Sequence, residues 1–309
     1  MEDCRVMKLS TVDVFKTLKT NGEEYVHLEG DTLRKVQRVL QSMTEDIIQV
    51  LEANGIRYSL GGGTALGAYR HHGFIPWDDD VDLNILAEDF PLFLSAFKRA
   101  FPSKYSIQTW DTDEYGMAMG RVRLKNSVLR SREDMFSADC GFYVDLFPVE
   151  NVPDSLILRT LHGTLCMAFG LLLSCRNFYK NRELMEQIST ENPELKNTFR
   201  FKIRLGWFLS FASVRTWAQI THKIYHMCGN SQSKYISIPT GRKHYFGELY
   251  PRNGFVDTKP CLFEGNEWQV VHNIEDYLTC LYGPDYMTPP PKAKQEQHVL
   301  LELKFPEEL

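Results

Sequence analysis

Acidic side chains are concentrated in one short segment of the first third of the chain. Asp78, Asp79 and Asp80 are consecutive, and Asp82 follows two positions later. Residues two apart in a strand lie on the same face, so Asp80 and Asp82 are expected to point the same way. Hard divalent cations such as Mg²⁺ prefer carboxylate oxygens, and substrate phosphates commonly complete their coordination. The spacing therefore predicts a metal-assisted site for a phosphorylated substrate.

A glycine-rich turn precedes the acidic segment. Gly62, Gly63 and Thr64 follow a short alternating segment and lead into residues 65–71, which are typical of a helix. Glycine allows the backbone to approach phosphate closely, and a helix N-terminus adds N–H donors and the positive end of a dipole. A glycine turn or an acidic tripeptide alone is commonly structural. Together with Arg70, and within 22 residues, they predict phosphoryl or nucleotidyl transfer.

A third carboxylate and several cations extend this site. Asp145 lies in a predicted strand over residues 142–147 and is expected to be a third metal ligand. Three basic residues alternate along another predicted strand and are candidates for diphosphate contacts, although an exposed edge strand would show the same pattern. They are Arg121, Arg123 and Lys125. His222 and His226 are four apart, as zinc ligands can be, but nothing nearby completes a site, so a structural pair is predicted.

The elements that must position these residues follow from hydrophobic periodicity. Residues 33–51 carry apolar residues at alternating steps of three and four, which predicts an amphipathic helix capped by Asp31 or Thr32 and ending near Asn54. Strands are predicted over residues 80–85, 105–110, 117–125 and 142–147, and helices over residues 88–101 and 274–282. A capping-box pattern precedes the last of these helices.

These elements predict an α/β (α+β) fold with a mixed sheet, flanking helices and a helical subdomain. The predicted division is an N-terminal extension over residues 1–30, a catalytic core over residues 31–150, a helical subdomain over residues 151–234 and a C-terminal segment over residues 235–309 that packs back on the core.

Composition narrows the classes of partner and location. The 309 residues carry a formal net charge of −5 without a cluster of Lys and Arg, so nucleic acid is not an expected partner. Seven scattered cysteines, with no Cys-x-x-Cys pair, predict reduced thiols and a cytoplasmic location. The longest apolar run, residues 164–174, is shorter than the roughly 18 residues that cross a bilayer, so no transmembrane helix is predicted.

Residues 62–82, GGTALGAYRHHGFIPWDDDVD, closely resemble the signature of the LicD family. The resemblance extends to YVDLFP at residues 143–148 and, more loosely, to the segment over residues 263–290, so that it spans about residues 30–300. This family is a branch of the nucleotidyltransferase-fold superfamily that transfers phosphocholine or related polyol phosphates from cytidine diphosphate donors to glycans. The resemblance therefore implies a nucleotidyltransferase-like fold and a phosphotransferase.

The resemblance assigns roles to particular residues. It makes Asp80 and Asp82 the metal pair and Asp145 the third carboxylate, with Mg²⁺ or Mn²⁺ as the cofactor. It places Gly62, Gly63 and Thr64 at the phosphates. Asp78 matches the first Asp of the family's Trp-Asp-x-Asp signature. Asp145 is the preferred acceptor of the hydroxyl proton, with Asp78 as the alternative.

The predicted reaction is the metal-dependent transfer of phosphocholine from CDP-choline to a hydroxyl of a cell-surface glycan precursor, such as teichoic acid or lipopolysaccharide, with release of CMP. Three alternatives stay open. The donor is another CDP-alcohol carrying ribitol or glycerol phosphate, the enzyme is a nucleotidyltransferase that releases pyrophosphate, or the protein is a non-catalytic scaffold.

Aromatic residues near the motifs favour choline, because a quaternary ammonium group is recognised through aromatic faces. The main candidates are Tyr69, Trp77 and Tyr143, and further aromatic residues are available at Trp110, Tyr250 and Trp268. The helical subdomain also suits a membrane interface, because aromatic and basic residues alternate over residues 199–217. A lipid-linked acceptor and a peripheral location at the inner face of the membrane are therefore further hypotheses, beside a plain helical core.

Overall fold

The computed structural model describes residues 25–113, 115–131, 134, 137–191, 195–292 and 295–307, so most of the predicted N-terminal extension lies outside the described residues. The described helices are α1 Gly30–Ala53, α2 Gly62–His71, α3 Phe90–Ala100, α4 Leu156–Lys180, α5 Arg182–Glu191, α6 Lys196–Phe208, α7 Val214–Tyr225, α8 His244–Gly247 and α9 Ile274–Tyr282. The described strands are β1 Tyr58–Leu60, β2 Asp82–Leu86, β3 Tyr105–Gln108, β4 Gly120–Leu124, β5 Val128–Ser131, β6 Tyr143–Val152, β7 Tyr235–Ser237, β8 Leu249–Pro251, β9 Thr258–Phe263, β10 Asn266–Val271 and β11 Leu300–Lys304.

The main sheet is mixed, which confirms the predicted α/β class. Its strand order is β1-β2-β6-β4-β3, and β7 and β8 extend it from β6. Strands β2 and β6 are parallel, whereas β1 pairs antiparallel with β2 and β4 pairs antiparallel with β6. The β1-α2-β2 unit therefore delivers the glycine turn and the acidic segment to one edge of β2, beside β6.

Helix α1 packs on the sheet through the predicted stripe. Leu33, Val36, Leu40 and Met43 are all buried in the main hydrophobic core. The helix ends at Asn54 as predicted, but its N-cap is Glu29, whose side chain makes no capping hydrogen bond. The predicted caps were wrong because the chain enters the helix through Gly30, where φ is +53°. The capping box before α9 was also wrong, since the Asn273 side chain makes no capping hydrogen bond.

The second half of the chain begins with four α-helices, α4 to α7. Helix α4 is 25 residues long, with a mean hydropathy of 1.7, and by length and composition alone it could cross a membrane. The expectation of no such helix was wrong, because helical apolar residues flank the short run on which it was based. C-terminal strand β7 pairs with β6, and α9 packs in the main core. The six described cysteines are free thiols, as expected.

Candidate active site

Four polar side chains form a row across the main sheet. Asp82 on β2 is in register with Asp145 on β6, Asp145 with Arg121 on β4, and Arg121 with Gln108 on β3. Residues in register on neighbouring strands project from the same face of a sheet. The fold therefore brings Asp82 and Asp145 together, as predicted. Asp80 lies just before β2 rather than inside it, because the chain is still leaving the preceding turn.

The glycine turn lies directly against these carboxylates. Gly62 has φ +43°, and a Cβ atom there would lie 2.5 Å from Oδ2 of Asp82. A Cβ atom on Gly63 would lie 2.9 Å from Oδ2 of Asp78. L-amino acids with side chains rarely adopt that φ. Glycine is therefore required at Gly62 both by backbone conformation and by the space that Asp82 occupies.

Two hydroxyl groups fix the turn to the strand. The backbone N–H of Asp82 donates to Oγ1 of Thr64 at 2.9 Å, and Thr64 is buried. The backbone N–H of Gly62 donates to the hydroxyl of Tyr277 on α9, also at 2.9 Å. Thr64 thus positions Asp82 in this structure, and its predicted phosphate contact stays a prediction. Tyr277 satisfies one of the N-terminal donors of α2.

Asp145 is held in a buried ion pair. Nε and Nη2 of Arg121 donate to its two carboxylate oxygens at 2.6 and 2.8 Å. Burial alone lowers the pKa of Arg121, but the Asp145 carboxylate more than offsets this and holds that pKa above its ordinary value. The Arg121 guanidinium also lies 3.8 Å from the centre of the Tyr143 ring. Asp145 is therefore a charged anchor, and its role as a third metal ligand stays a prediction.

The C-terminal segment supplies a histidine to the acidic loop. The backbone N–H of His298 donates to Oδ2 of Asp79 at 3.1 Å, and its Nδ1 lies 3.0 Å from Oδ1 of the same carboxylate. The same nitrogen is 3.8 Å from Oδ2 of Asp80. On the other side, the Gln37 side chain donates to the carbonyl of Asp78 at 2.9 Å. Sequence reasoning missed His298, because no motif surrounds it.

These residues open into one large cavity of about 1460 Å³. One side, which we call the sheet wall, is formed by Asp80, Asp82, Arg121 and Asp145. The opposite side, the helical wall, comes mainly from α4. Its residues include Thr164, Met167, Leu171, Ser174 and Phe178. Gly62, Gly63, Arg70, Trp77 and Asp78 also line the cavity, whereas Thr64, Tyr69 and Tyr143 are not among its lining residues.

The structure separates the predicted cations. Arg70 lines the cavity, and its Nη1 donates to the carbonyl of Tyr286 at 2.6 Å. Arg121 reaches the site, but its charge is paired with Asp145. Arg123 is fully buried and donates to Asp134 at 2.7 Å, and Lys125 is exposed just beyond β4. The alternation was read correctly, but the sheet buries the face that carries Arg123.

The histidine pair has structural contacts. The His222 ring stacks on Trp110 with centroids 3.4 Å apart, and burial lowers its pKa to about 4. Nδ1 of His226 lies 2.9 Å from the buried Glu150 carboxylate, and this contact raises the pKa of His226. Neither histidine belongs to a potential metal-ligand group among the described residues.

Only part of the predicted aromatic set faces the cavity. Trp77 does so. The Tyr69 hydroxyl donates to Glu275 at 2.6 Å, and the faces of Tyr143 are near Arg121 and Arg123. Trp268 stacks on Phe263 in the core, and Tyr250 stacks on Phe255. Tyr143, Tyr250 and Trp268 are therefore packing residues in this structure.

Two buried ionisable residues lining the cavity had no role in the predicted site. Burial raises the pKa of Glu248 to about 7, and its carboxylate accepts a hydrogen bond from the backbone N–H of Lys243 at 2.9 Å. Burial lowers the pKa of Lys202 to about 8, and its Nζ donates to Ser174 at 3.1 Å. The sequence analysis expected Lys202 on an outer basic face. Its helical phase instead points it inward with Phe199.

The acidic segment provides a donor set that suits a divalent cation. Asp78, Asp79, Asp80 and Asp82 present hard oxygen donors to one cavity, as such ions require. Among the described residues, the ligand atoms of Asp79, Asp80 and His298 lie within 4.8 Å of one another. The residues present therefore fit a metal.

Comparison with known proteins agrees with this geometry. Residues 55–162 match the nucleotidyltransferase domain of the LicD/FKTN/FKRP family. That segment contains the glycine turn, the acidic segment and the Asp145–Arg121 pair. It is a LicD-family domain. Together with the carboxylate-lined cavity, the match identifies the protein as a phosphotransferase.

Relatives of the LicD-family domain include bacterial and animal proteins. The chain is 28% identical to the lipopolysaccharide cholinephosphotransferase LicD of Haemophilus influenzae over 276 residues, which cover 88% of this chain and 97% of that protein. It is 43% identical to the human ribitol 5-phosphate transferase FKRP over 79 residues, covering 26% of this chain and 16% of that protein. The bacterial similarity thus extends over the helical and C-terminal regions, whereas the animal similarity is local.

Proposed function

We propose that the protein transfers phosphocholine from CDP-choline to a hydroxyl group of a cell-surface glycan precursor and releases CMP. The observation that carries this proposal is the similarity along 97% of a lipopolysaccharide cholinephosphotransferase, joined to a cavity whose sheet wall bears the carboxylates. Trp77 is the aromatic residue of the main predicted choline set that faces this cavity.

In the proposed reaction, an acceptor hydroxyl oxygen attacks the distal phosphorus of the donor. A new P–O bond forms, the bond between that phosphorus and the CMP oxygen breaks, and the hydroxyl proton passes to a base. Both Asp145 oxygens accept hydrogen bonds from Arg121, so we assign the base to Asp78, beside Gly63. The open glycine turn leaves room for the diphosphate beside α2.

We assign the metal site to Asp80 and Asp82, with Asp79 and His298 holding the acidic loop and Asp145 as the third carboxylate. A bound Mg²⁺ or Mn²⁺ would neutralise the diphosphate charge and the charge that develops on the leaving group. The chain's own contribution is positioning. Thr64 and Tyr277 fix the turn against Asp82, and Arg121 prevents repulsion between Asp82 and Asp145 from separating their strands.

Ribitol phosphate transfer is the second candidate. The segment shared with the ribitol 5-phosphate transferase has 43% identity, against 28% over the longer alignment to the cholinephosphotransferase. These identities give no support to the expectation that the acidic motif is nearer to the bacterial branch. We therefore rank choline above ribitol on the length of the similarity and on Trp77, not on the motif.

A donor panel tests both functions. CDP-choline, CDP-ribitol and CDP-glycerol are each incubated with the protein, Mg²⁺ and either lipopolysaccharide or a teichoic acid precursor, and CMP and pyrophosphate are quantified. We expect CMP with CDP-choline, and no CMP from the Asp82→Asn protein. Higher turnover with CDP-ribitol would select the second candidate, pyrophosphate would indicate nucleotidyl transfer, and no product under any condition would support a scaffold.

A further inference from the structure

Charge is unevenly distributed along the chain. The whole sequence has a net charge of −5, yet residues 195–247 contain nine Lys or Arg and no Asp or Glu. Residues 155–182 contain four more basic residues and again no acidic one. The acidic residues of this half of the fold are thus confined to residues 183–194. A one-sided positive field of this kind attracts an anionic partner.

Helix α6 has an outer face on which cations and aromatic side chains share one stripe. The stripe continues into the 3₁₀ turn Leu209–Phe211. Its members are Arg200, Phe201, Arg204, Trp207, Phe208 and Phe211, all exposed. They follow the spacing of one helical face. Trp207, Phe208 and Phe211 expose 55%, 67% and 80% of their surface. In an ordinary amphipathic helix of a soluble protein, large apolar residues face the core.

The inner face of the same helix is well packed, so the outer stripe is not a failure of the helix to bury its apolar side. Phe199 and Lys202 are almost fully buried. Gly206 lies so close to α4 that a Cβ atom would collide with the carbonyl of Cys175. Helix α6 is therefore fixed to α4 by one face and presents a second apolar face outward.

Helix α4 adds to this exposed apolar surface. Only 22% of its most apolar 18-residue window is buried, whereas a core helix of similar composition would be mostly buried. Leu156, Ile157, Leu158 and Leu161 each expose more than half of their surface. Further along the helix, Met167 is 40% exposed and also lines the cavity. The apolar surface of α4 thus continues into the active-site cavity.

We propose that the outer face of α6, with the exposed part of α4, binds the surface of an anionic lipid bilayer. Aromatic residues mixed with Lys and Arg, without Asp or Glu, are typical of peripheral membrane helices. Trp favours the headgroup level, and each cation near an anionic bilayer adds to the attraction. In this arrangement the helical wall lies between the bilayer and the carboxylates, so that an acceptor anchored in the bilayer would reach the sheet wall across it.

The proposal goes beyond the proposed reaction, because binding to vesicles requires neither donor nor acceptor. The full chain is mixed with vesicles of phosphatidylcholine alone or with phosphatidylglycerol added, and flotation is measured at low and high salt. We expect flotation only with the anionic vesicles and its loss at high salt. Wholly soluble behaviour with anionic vesicles at low salt would overturn the proposal.

Two variants identify the surface. Replacing both cations in Arg200→Gln/Arg204→Gln is expected to lower the vesicle partition coefficient about thirtyfold, and Trp207→Ser/Phe208→Ser/Phe211→Ser is expected to abolish flotation. The matched control is Leu92→Ser/Leu262→Ser, which removes two similarly exposed apolar side chains outside the helical region. CMP release with a water-soluble acceptor should be unchanged in all three. Undiminished flotation of both surface variants would refute the assignment.

Two further measurements separate other occupants. Bound protein that resists extraction at alkaline pH would mean that α4 spans the bilayer, which would overturn a peripheral mode. A concentration-dependent dimer that is lost in the Trp207→Ser/Phe208→Ser/Phe211→Ser protein, together with no flotation, would assign the surface to a second copy of the chain and would also overturn the proposal. Extraction at alkaline pH and a monomer in solution support it.

Discussion

The two walls of the cavity are built from different interactions. The sheet wall holds charged groups in fixed pairs, such as Asp145 with Arg121 and Asp79 with His298. The helical wall is largely apolar along α4, and its buried cation, Lys202, is held by the Ser174 hydroxyl. One wall is thus organised by directed polar contacts, and the other by helix packing.

This difference assigns different tasks to the walls. Fixed charges in a site with little water stabilise charge that develops during a reaction, whereas an apolar surface contributes affinity without direction. We therefore expect chemistry to fail when the sheet wall is altered, and binding or stability to change when other surfaces are altered. The following predictions test that division.

The largest effect is expected for the metal pair. Asp80→Asn and Asp82→Asn remove one negative charge each from the proposed ligand set while preserving shape. Loss of an outer-shell partner of a metal costs about 10 to 100-fold, so turnover should fall by more than that, and Asp145→Asn should also abolish it. The exposed Asp276→Asn protein is the control. Near wild-type CMP release by any of the three with saturating Mg²⁺ would contradict the assigned triad.

The ion pair behind the metal pair is the second test. Arg121→Met leaves the Asp145 charge buried without its partner, which typically costs about 3–5 kcal/mol of unfolding free energy. Urea denaturation measures this loss. The double variant Arg121→Met/Asp145→Asn should recover much of it, because no uncompensated charge remains. If the double variant were as unstable as the single one, the pair would not be the cause.

Local sequence patterns were sufficient to predict one part of the sheet wall. The Asp80 and Asp82 spacing, the glycine turn and the strand around Asp145 each depend on neighbours a few positions away. The same holds for α9, whose predicted bounds match the structure. Asp82 and Asp145 were also expected to meet, but that expectation came from the family resemblance.

The remaining site depends on contacts that local spacing does not encode. Arg121 pairs with Asp145 because β4 and β6 adopt one register, and a shift by one residue would have placed the guanidinium on the other face. His298 is 219 positions from Asp79. The exposed apolar side of α4 could not be predicted either, because periodicity identifies an apolar face but not whether another element covers it.

A carboxylate between the walls provides a pH test. Burial raises the pKa of Glu248 from the ordinary 4.5 to about 7, so the folded state binds this proton more tightly than the unfolded state. The corresponding stability is complete below about pH 4.5 and is lost as the pH rises through about 7. Relative to the wild type, Glu248→Gln should therefore gain about 3 kcal/mol in unfolding free energy between about pH 5 and pH 8.

The matched control for this titration is the exposed Glu267→Gln. Its unfolding free energy, measured by urea denaturation, should stay parallel to the wild type across the same range. If the difference between Glu248→Gln and the wild type were independent of pH, Glu248 would be charged in the folded protein, and the cavity would be more polar than its lining indicates.

A pair of glycine variants separates backbone strain from damage to the site. Gly55 and Gly62 both have positive φ, +65° and +43°, but a Cβ atom meets nothing at Gly55 and lies 2.5 Å from Asp82 at Gly62. Both alanine variants should lose about 1–2 kcal/mol of stability. Only Gly62→Ala should also lose turnover, by about a hundredfold, because it displaces a reacting group. Equal turnover of the two variants would remove the turn from the site.

The smallest effect is expected at Trp77, which tests whether the donor alcohol lies on the sheet-wall side. A cation–π contact is worth about 0.5–2 kcal/mol, so Trp77→Leu should raise KM for CDP-choline by about twofold to thirtyfold and leave that for CDP-ribitol unchanged, since ribitol carries no cation. The matched variant on the opposite wall is Met167→Ser, which also faces the cavity and should not alter KM for either donor. Steady-state kinetics with both donors decides between the walls. A selective increase for CDP-choline in Met167→Ser, with none in Trp77→Leu, would place the choline group against α4 and reverse the division of tasks between the two walls.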